Sequence, residues 1–236
     1  KQNTLNNMKI LVIAEAQDTE VRYASRSAIT LAKSAAKATN GKIEIGIIGD
    51  DIAAAAKAAS TYAPTFTLSD VSLTNATADR YGAAIAQIAK LREADLVIAA
   101  STSQGKDCAA RAAAALGGTM VTDVIACENR EGKLVWQRTM HAGGVAAWVA
   151  AHGAPVVVTA LSSAFDPAKP ENEISVTALD IDVNTLPSAI KFESVSTKQS
   201  DRPDVTEAAV VISGGRAFKT AEDYERLIGG LADKVG

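Results

Sequence analysis

Three strand-like runs, residues 9–14, 42–49 and 95–100, constrain this chain more than any other feature. The continuous apolar run at 9–14 predicts a strand buried on both faces, as in a parallel sheet, 95–100 reads as another buried strand, and 42–49 reads as a second strand. Between them lie Ala-rich amphipathic stretches at 25–38, closed by Asn40-Gly41, at 52–60 and at 77–91, with a short strand expected at 65–68. Strands alternating with helices give an α/β fold, a mostly parallel sheet with helices on both faces. In such sheets ligands and partners meet the loops after the carboxyl ends of the strands.

From Gly117 the pattern changes. Apolar runs at 120–127 and 133–140, joined by the polar Gly-ended segment 128–132, predict a β-hairpin. Runs at 145–151 and 155–160 follow, so antiparallel strands are expected to extend the sheet. Residues 174–181 and 190–196 alternate in strand fashion and are expected to close the first domain. The hydrophilic stretch 197–204 contains Pro203 and is expected to be a linker.

Beyond it the sequence predicts a strand at 208–212, a turn through Ser213-Gly214-Gly215-Arg216, and a helix opening near Thr220. Two glycines let the backbone approach a ligand, a helix start offers free N–H groups to an anion, and Arg216 adds a forked cation. The helix carries Leu227, Ile228, Leu231, Ala232 and Val235 on one face. One strand and one helix bury too little apolar surface to fold alone, so this end is expected to pack on the first domain or on a partner, or to be the first βα unit of a larger domain. The domains expected are thus 1–8, a leader or tag remnant, 9–196, a scaffold, 197–204, a linker, and 205–236, the beginning of a second domain.

Composition narrows the function classes. A net charge of −3 with scattered cations, and 4% aromatic residues, argue against nucleic acid. No apolar run approaches the ~20 residues of a membrane-spanning helix. Two cysteines, Cys108 and Cys127, have neither metal nor disulfide spacing, and two histidines, His141 and His152, make no triad or metal cluster. Asp50 and Asp51 stand ahead of a helix, where carboxylates balance its dipole. The loop 101–107, with hydroxyls, Gly105 and Lys106, is read as a capped helix start before a helix at 108–116.

Four segments, in this order, carry a resemblance. Gly105-Lys106-Asp107 with Arg111, Thr122-Asp123-Val124-Ile125, Arg138 through Gly143, and Asp201-Arg202-Pro203 followed by Ser213-Gly214-Gly215-Arg216 and Lys219 resemble the motifs of electron transfer flavoprotein alpha subunits. The resemblance implies an FAD-dependent electron carrier rather than a catalyst of its own substrate reaction. It implies a heterodimer with a beta subunit, which holds the AMP. It implies electrons accepted from flavoprotein dehydrogenases of the acyl-CoA dehydrogenase type, as in fatty acid β-oxidation, and passed to a quinone oxidoreductase. The location implied is a bacterial cytoplasm, or a mitochondrial matrix. The FAD-contacting residues implied here are Arg216, Gly215, Gly214, Ser213 and Lys219. The family's other flavin contacts fall after residue 236, so the resemblance implies a truncated flavin domain, with FAD absent from this form. His141 stands where relatives carry Tyr, and Leu161 where they carry Arg. Two other readings are an adenine-nucleotide-binding module resembling universal stress proteins and a cofactor-free scaffold fragment. The first would need a Gly-rich loop after an early strand, and residues 14–19 contain no glycine.

Overall fold

The computed structural model describes residues 7–75, 77–196, 205, 208 and 210–235. The chain divides into two compact units, residues 1–193 and 194–236. The expected linker, 197–204, lies outside the described residues.

In the first unit the apolar runs become strands β1 (Lys9–Ile13), then, after a small ribbon of β2 (Ala16–Gln17) and β3 (Glu20–Val21) and helix α1 (Tyr23–Thr39), strand β4 (Lys42–Gly49). Helix α2 (Ala53–Ala59), strand β5 (Thr65–Ser69), helix α3 (Ala78–Leu91), strand β6 (Leu96–Ala100) and helix α4 (Ser103–Leu116) complete the alternating half. Strands β7 (Thr119–Arg130), β8 (Lys133–Met140), β9 (Val145–Ala150), β10 (Val156–Ala160) and β11 (Val176–Ala178) follow. They join one nine-stranded sheet in the order β11-β5-β4-β1-β6-β10-β7-β8-β9. Pairing is parallel from β11 to β7 and antiparallel from β7 to β9; the hairpin and β9 extend the sheet antiparallel as expected, whereas β10, expected among the antiparallel strands, lies between β6 and β7 and pairs parallel with both.

The core has two layers because strand side chains alternate. Ile10 and Val12 of β1 face α1 and α2, whereas Leu11 and Ile13 face α3 and α4. Helices rich in alanine allow close approach. At Gly82 a Cβ would stand 2.6 Å from Cβ of Arg111, so α3 meets α4 through bare backbone. The hairpin is tighter than expected. Arg130 pairs with Lys133 across Glu131 and Gly132, both at positive φ (52° and 76°), the two-residue turn that matches strand twist.

Four further expectations change. Helix α4 begins at Ser103, five residues earlier than expected, because the Thr102 hydroxyl accepts from the Gly105 N–H at 2.8 Å. The segment 174–181 yields only the three residues of β11, paired with edge strand β5, and 190–196 forms no strand. Side-chain anchors hold the chain in place of a ladder there: Arg80 donates to the carbonyls of Val183 (3.0 Å) and Pro187 (3.2 Å), and Leu186 is buried. In the second unit the described residues at 208 and 210–212 are not a strand, since a strand needs a neighbouring ladder to satisfy its N–H and C=O groups. The expected helix forms as α5 (Ala221–Tyr224), a π-helical turn (Glu225–Gly229) and α6 (Gly230–Val235). Thr220 caps it, accepting from the Asp223 N–H at 3.1 Å.

Candidate functional site

Strand β1 lies between β4 and β6, so the order in which strands are added reverses there and opens a crevice at the carboxyl ends. A cavity of about 240 Å³ occupies it, walled by Ile13, Ile48, Ile85 and Ala99. Several polar groups at or beside it are already engaged. The Tyr81 hydroxyl donates to the Ile48 carbonyl, Thr102 donates to Glu15 at 2.5 Å, and Glu15 lies 4.0 Å from Arg22. Asp18, Asp50 and Asp51 line the mouth, and four carboxylates repel a phosphate. Gly105 serves packing here. A Cβ at this position would lie 2.1 Å from the Ala100 carbonyl oxygen, so only glycine lets α4 start against β6.

Burial pushes the Cys108 thiol at this cavity up to about 12, helped by the charges of Asp107 and Glu15. Burial and Glu128 push Cys127 up to about 11. Neither is a thiolate near neutral pH, so neither is a nucleophile. Among the described residues, no group of three or more His, Cys, Asp or Glu could hold a metal, and no helix is long and apolar enough to cross a membrane.

Three of the segments singled out in the sequence converge beside the carboxyl ends of β6 and β10, where the first half of β7 passes them. Lys106 reaches Asp123 at 3.6 Å, and Arg138 donates to Thr122 at 3.0 Å. Thr159 accepts from Ser101 at 2.8 Å and from the Asp123 N–H at 3.2 Å. Asp123 sits at φ 54°, where the pairing of β7 with β10 shifts register. Arg111 is used locally, donating to Asp107 one turn away at 3.0 Å. His141 is exposed on the β8–β9 turn, with φ 51° followed by 52° at Ala142. Leu161 donates its N–H to the Val124 carbonyl at 2.9 Å. This corner is a network of satisfied polar groups that fixes strand ends, with the exception of Arg138 Nε, which is buried and unpartnered.

The five residues expected to contact a cofactor lie in one turn of the second unit. Ser213, Gly215, Arg216 and Lys219 are exposed and Gly214 is half-buried. Arg216 and Lys219 have no ion-pair partner among the described residues. The two glycines differ. A Cβ on Gly214 would strike the Phe218 ring at 2.5 Å, whereas a Cβ on Gly215 would meet nothing within 4 Å. The helix start contributes less than expected, because Thr220 fills the cap and Glu222 and Asp223 occupy the first turn. Positive charge at this turn therefore comes from Arg216 and Lys219. Sequence reasoning missed the Gly214, Phe218 and Tyr224 contact, for which residue spacing gives no signal. It also missed the Thr102 to Glu15 bond, although Thr102 stands three residues before Gly105 as a cap would.

The electron transfer flavoprotein domain model matches residues 10–185. A probable mitochondrial electron transfer flavoprotein alpha subunit from Cryptococcus neoformans is 31% identical over 233 residues, which are 96% of this chain and 65% of that protein. The alpha subunits from Pseudomonas aeruginosa and Bacillus subtilis are 27% and 24% identical, over 97% and 93% of this chain and 72% and 67% of their own lengths. The chain thus spans about two thirds of the length of these relatives, 65% for the first.

Proposed function

Since the chain belongs to the electron transfer flavoprotein family and its relatives are alpha subunits, we propose that it works as the alpha subunit of a heterodimeric electron carrier that uses FAD. Flavin, when bound, accepts and returns electrons; the protein's part is to hold it and set the charge around it. The observation that carries this reading is the Gly215-Arg216 turn, with an open backbone beside Gly215 and two exposed cations, Arg216 and Lys219, that no acid among the described residues neutralises.

In this reading Arg216 donates to the anionic part of the cofactor and stabilises negative charge there. Gly215 and Ser213 offer a close backbone and a hydroxyl, and Lys219 adds longer-range attraction. Gly214 acts beneath the turn. The first unit serves as the scaffold for a beta subunit. Supporting this, β9 ends the sheet, carries no charged residue over Val145–Ala150, and has no strand on its outer side among the described residues. The carboxylate-lined crevice argues against the adenine-nucleotide module. Electrons would come from flavoprotein dehydrogenases of the acyl-CoA dehydrogenase type and pass to a quinone oxidoreductase. A bacterial cytoplasm or a mitochondrial matrix would house it.

The test is Arg216→Ala in protein purified with its partner subunit, with FAD titrated into the flavin-stripped complex. A charged hydrogen bond is worth about 1.5–3 kcal/mol, so affinity should fall about tenfold to a hundredfold, with Arg216→Lys intermediate. Equal affinity in wild type and Arg216→Ala would remove Arg216 from the site.

A further inference from the structure

We infer that Phe218 and Tyr224 are positioning residues, an aromatic clamp on which the Gly214-Gly215-Arg216 turn is shaped before any ligand arrives. The two rings meet edge to face, centroids 5.5 Å apart and planes at 80°. Such pairs contribute about 0.5–1.5 kcal/mol beyond the area they bury. Gly214 rests against both. A Cβ there would lie 2.5 Å from Cε2 and 2.9 Å from Cδ2 of Phe218, and 3.0 Å from Cε2 of Tyr224.

The rings are fixed from two sides. Tyr224 belongs to the first turn of the helix, its N–H donating to the Thr220 carbonyl at 3.3 Å. Phe218 closes the turn, its N–H reaching the Gly215 carbonyl at 3.5 Å. Hence the helix, through Tyr224 and then Phe218, decides where the backbone of Gly214 lies. That in turn decides where Gly215 and the Arg216 side chain begin. Of the two adjacent glycines, Gly214 admits the pair of rings, whereas at Gly215 a Cβ would meet nothing within 4 Å, so the backbone there faces open space. Preorganisation of this kind lowers the ordering cost that binding would otherwise meet. The inference rests on the flavin reading for what the turn binds, but not for how the turn is held.

The experiment has two readouts on the complex with the partner subunit. Amide hydrogen exchange across residues 214–218 is measured in flavin-stripped protein, and FAD affinity by titration. Gly214→Ala and Tyr224→Ala should speed exchange in that segment at least tenfold and weaken FAD about tenfold. Tyr224→Phe, which keeps the ring, should match wild type within about twofold in both. If Tyr224→Ala is too unstable to purify, Phe218→Leu keeps the bulk without the ring edge and should still show faster exchange with weaker FAD. Unchanged exchange in these variants overturns the clamp, whether or not FAD binds. Faster exchange with wild-type affinity overturns the positioning role. Wild-type protein that takes up no FAD overturns the flavin reading itself, and the exchange result still decides the clamp.

Discussion

Replacing Trp136 by alanine should lower the stability of the first unit by about 3–5 kcal/mol, the cost of removing a large aromatic side chain from a packed interior. Trp136 is 1% exposed and heads the fully buried side chains by size. It stands on β8 opposite Cys127 of β7 and Val149 of β9, and belongs to the layer that includes Ala28, Leu31 and Ala32 of α1. A void there would loosen the antiparallel extension from its helix, and the extension carries both β9 and the His141 turn. Urea unfolding of the variant reads the loss directly. A change under about 1 kcal/mol would mean that β7, β8 and β9 are not packed on α1 as described. Trp136→Phe, which fills most of the space, should recover at least half of the loss.

Gly105→Ala should be comparably severe for a different reason. Its added methyl group would sit 2.1 Å from the Ala100 carbonyl oxygen, 3.0 Å from the Thr102 hydroxyl and 3.1 Å from Glu15. The nearest atom is backbone at the end of a central strand, so the helix must move. Overpacking of this kind costs about 1–3 kcal/mol and occasionally more. The shift would also carry Lys106 away from Asp123, now 3.6 Å distant. Lys106→Ala, one residue on and at the surface, should change stability by less than about 1 kcal/mol. Similar melting temperatures for Gly105→Ala and Lys106→Ala would contradict the packing of α4 on β6.

The alternating half of the fold was legible because continuous apolar strands and Ala-rich helices carry different periods, and each strand found a parallel neighbour. The hairpin was legible from Gly132. Legibility failed where pattern and partner part company. Residues 190–196 alternate like a strand but meet no ladder, and nearby 183–187 is held by Arg80 and Leu186, which no local pattern reveals. The stretch 208–212 is apolar, but its described residues have no strand beside them among the described residues of their unit. The start of α4 lies earlier than the sequence predicts because Ser103 and Gly105 are poor helix formers, and the Thr102 cap and the close approach to β6 outweigh propensity. At the candidate site, order along the chain sufficed to gather Ser213, Gly214, Gly215, Arg216 and Lys219 in one turn. It places both glycines at a ligand; the structure adds that a Cβ on Gly214 would meet Phe218 and Tyr224, a contact that needs three-dimensional geometry to see.

The most direct test of the account is the flavin content of the protein, as its gene encodes it, purified together with its partner subunit. The account predicts a yellow complex that releases one FAD per heterodimer on denaturation. A well-folded heterodimer that is colourless, and stays so after incubation with excess FAD, would contradict it.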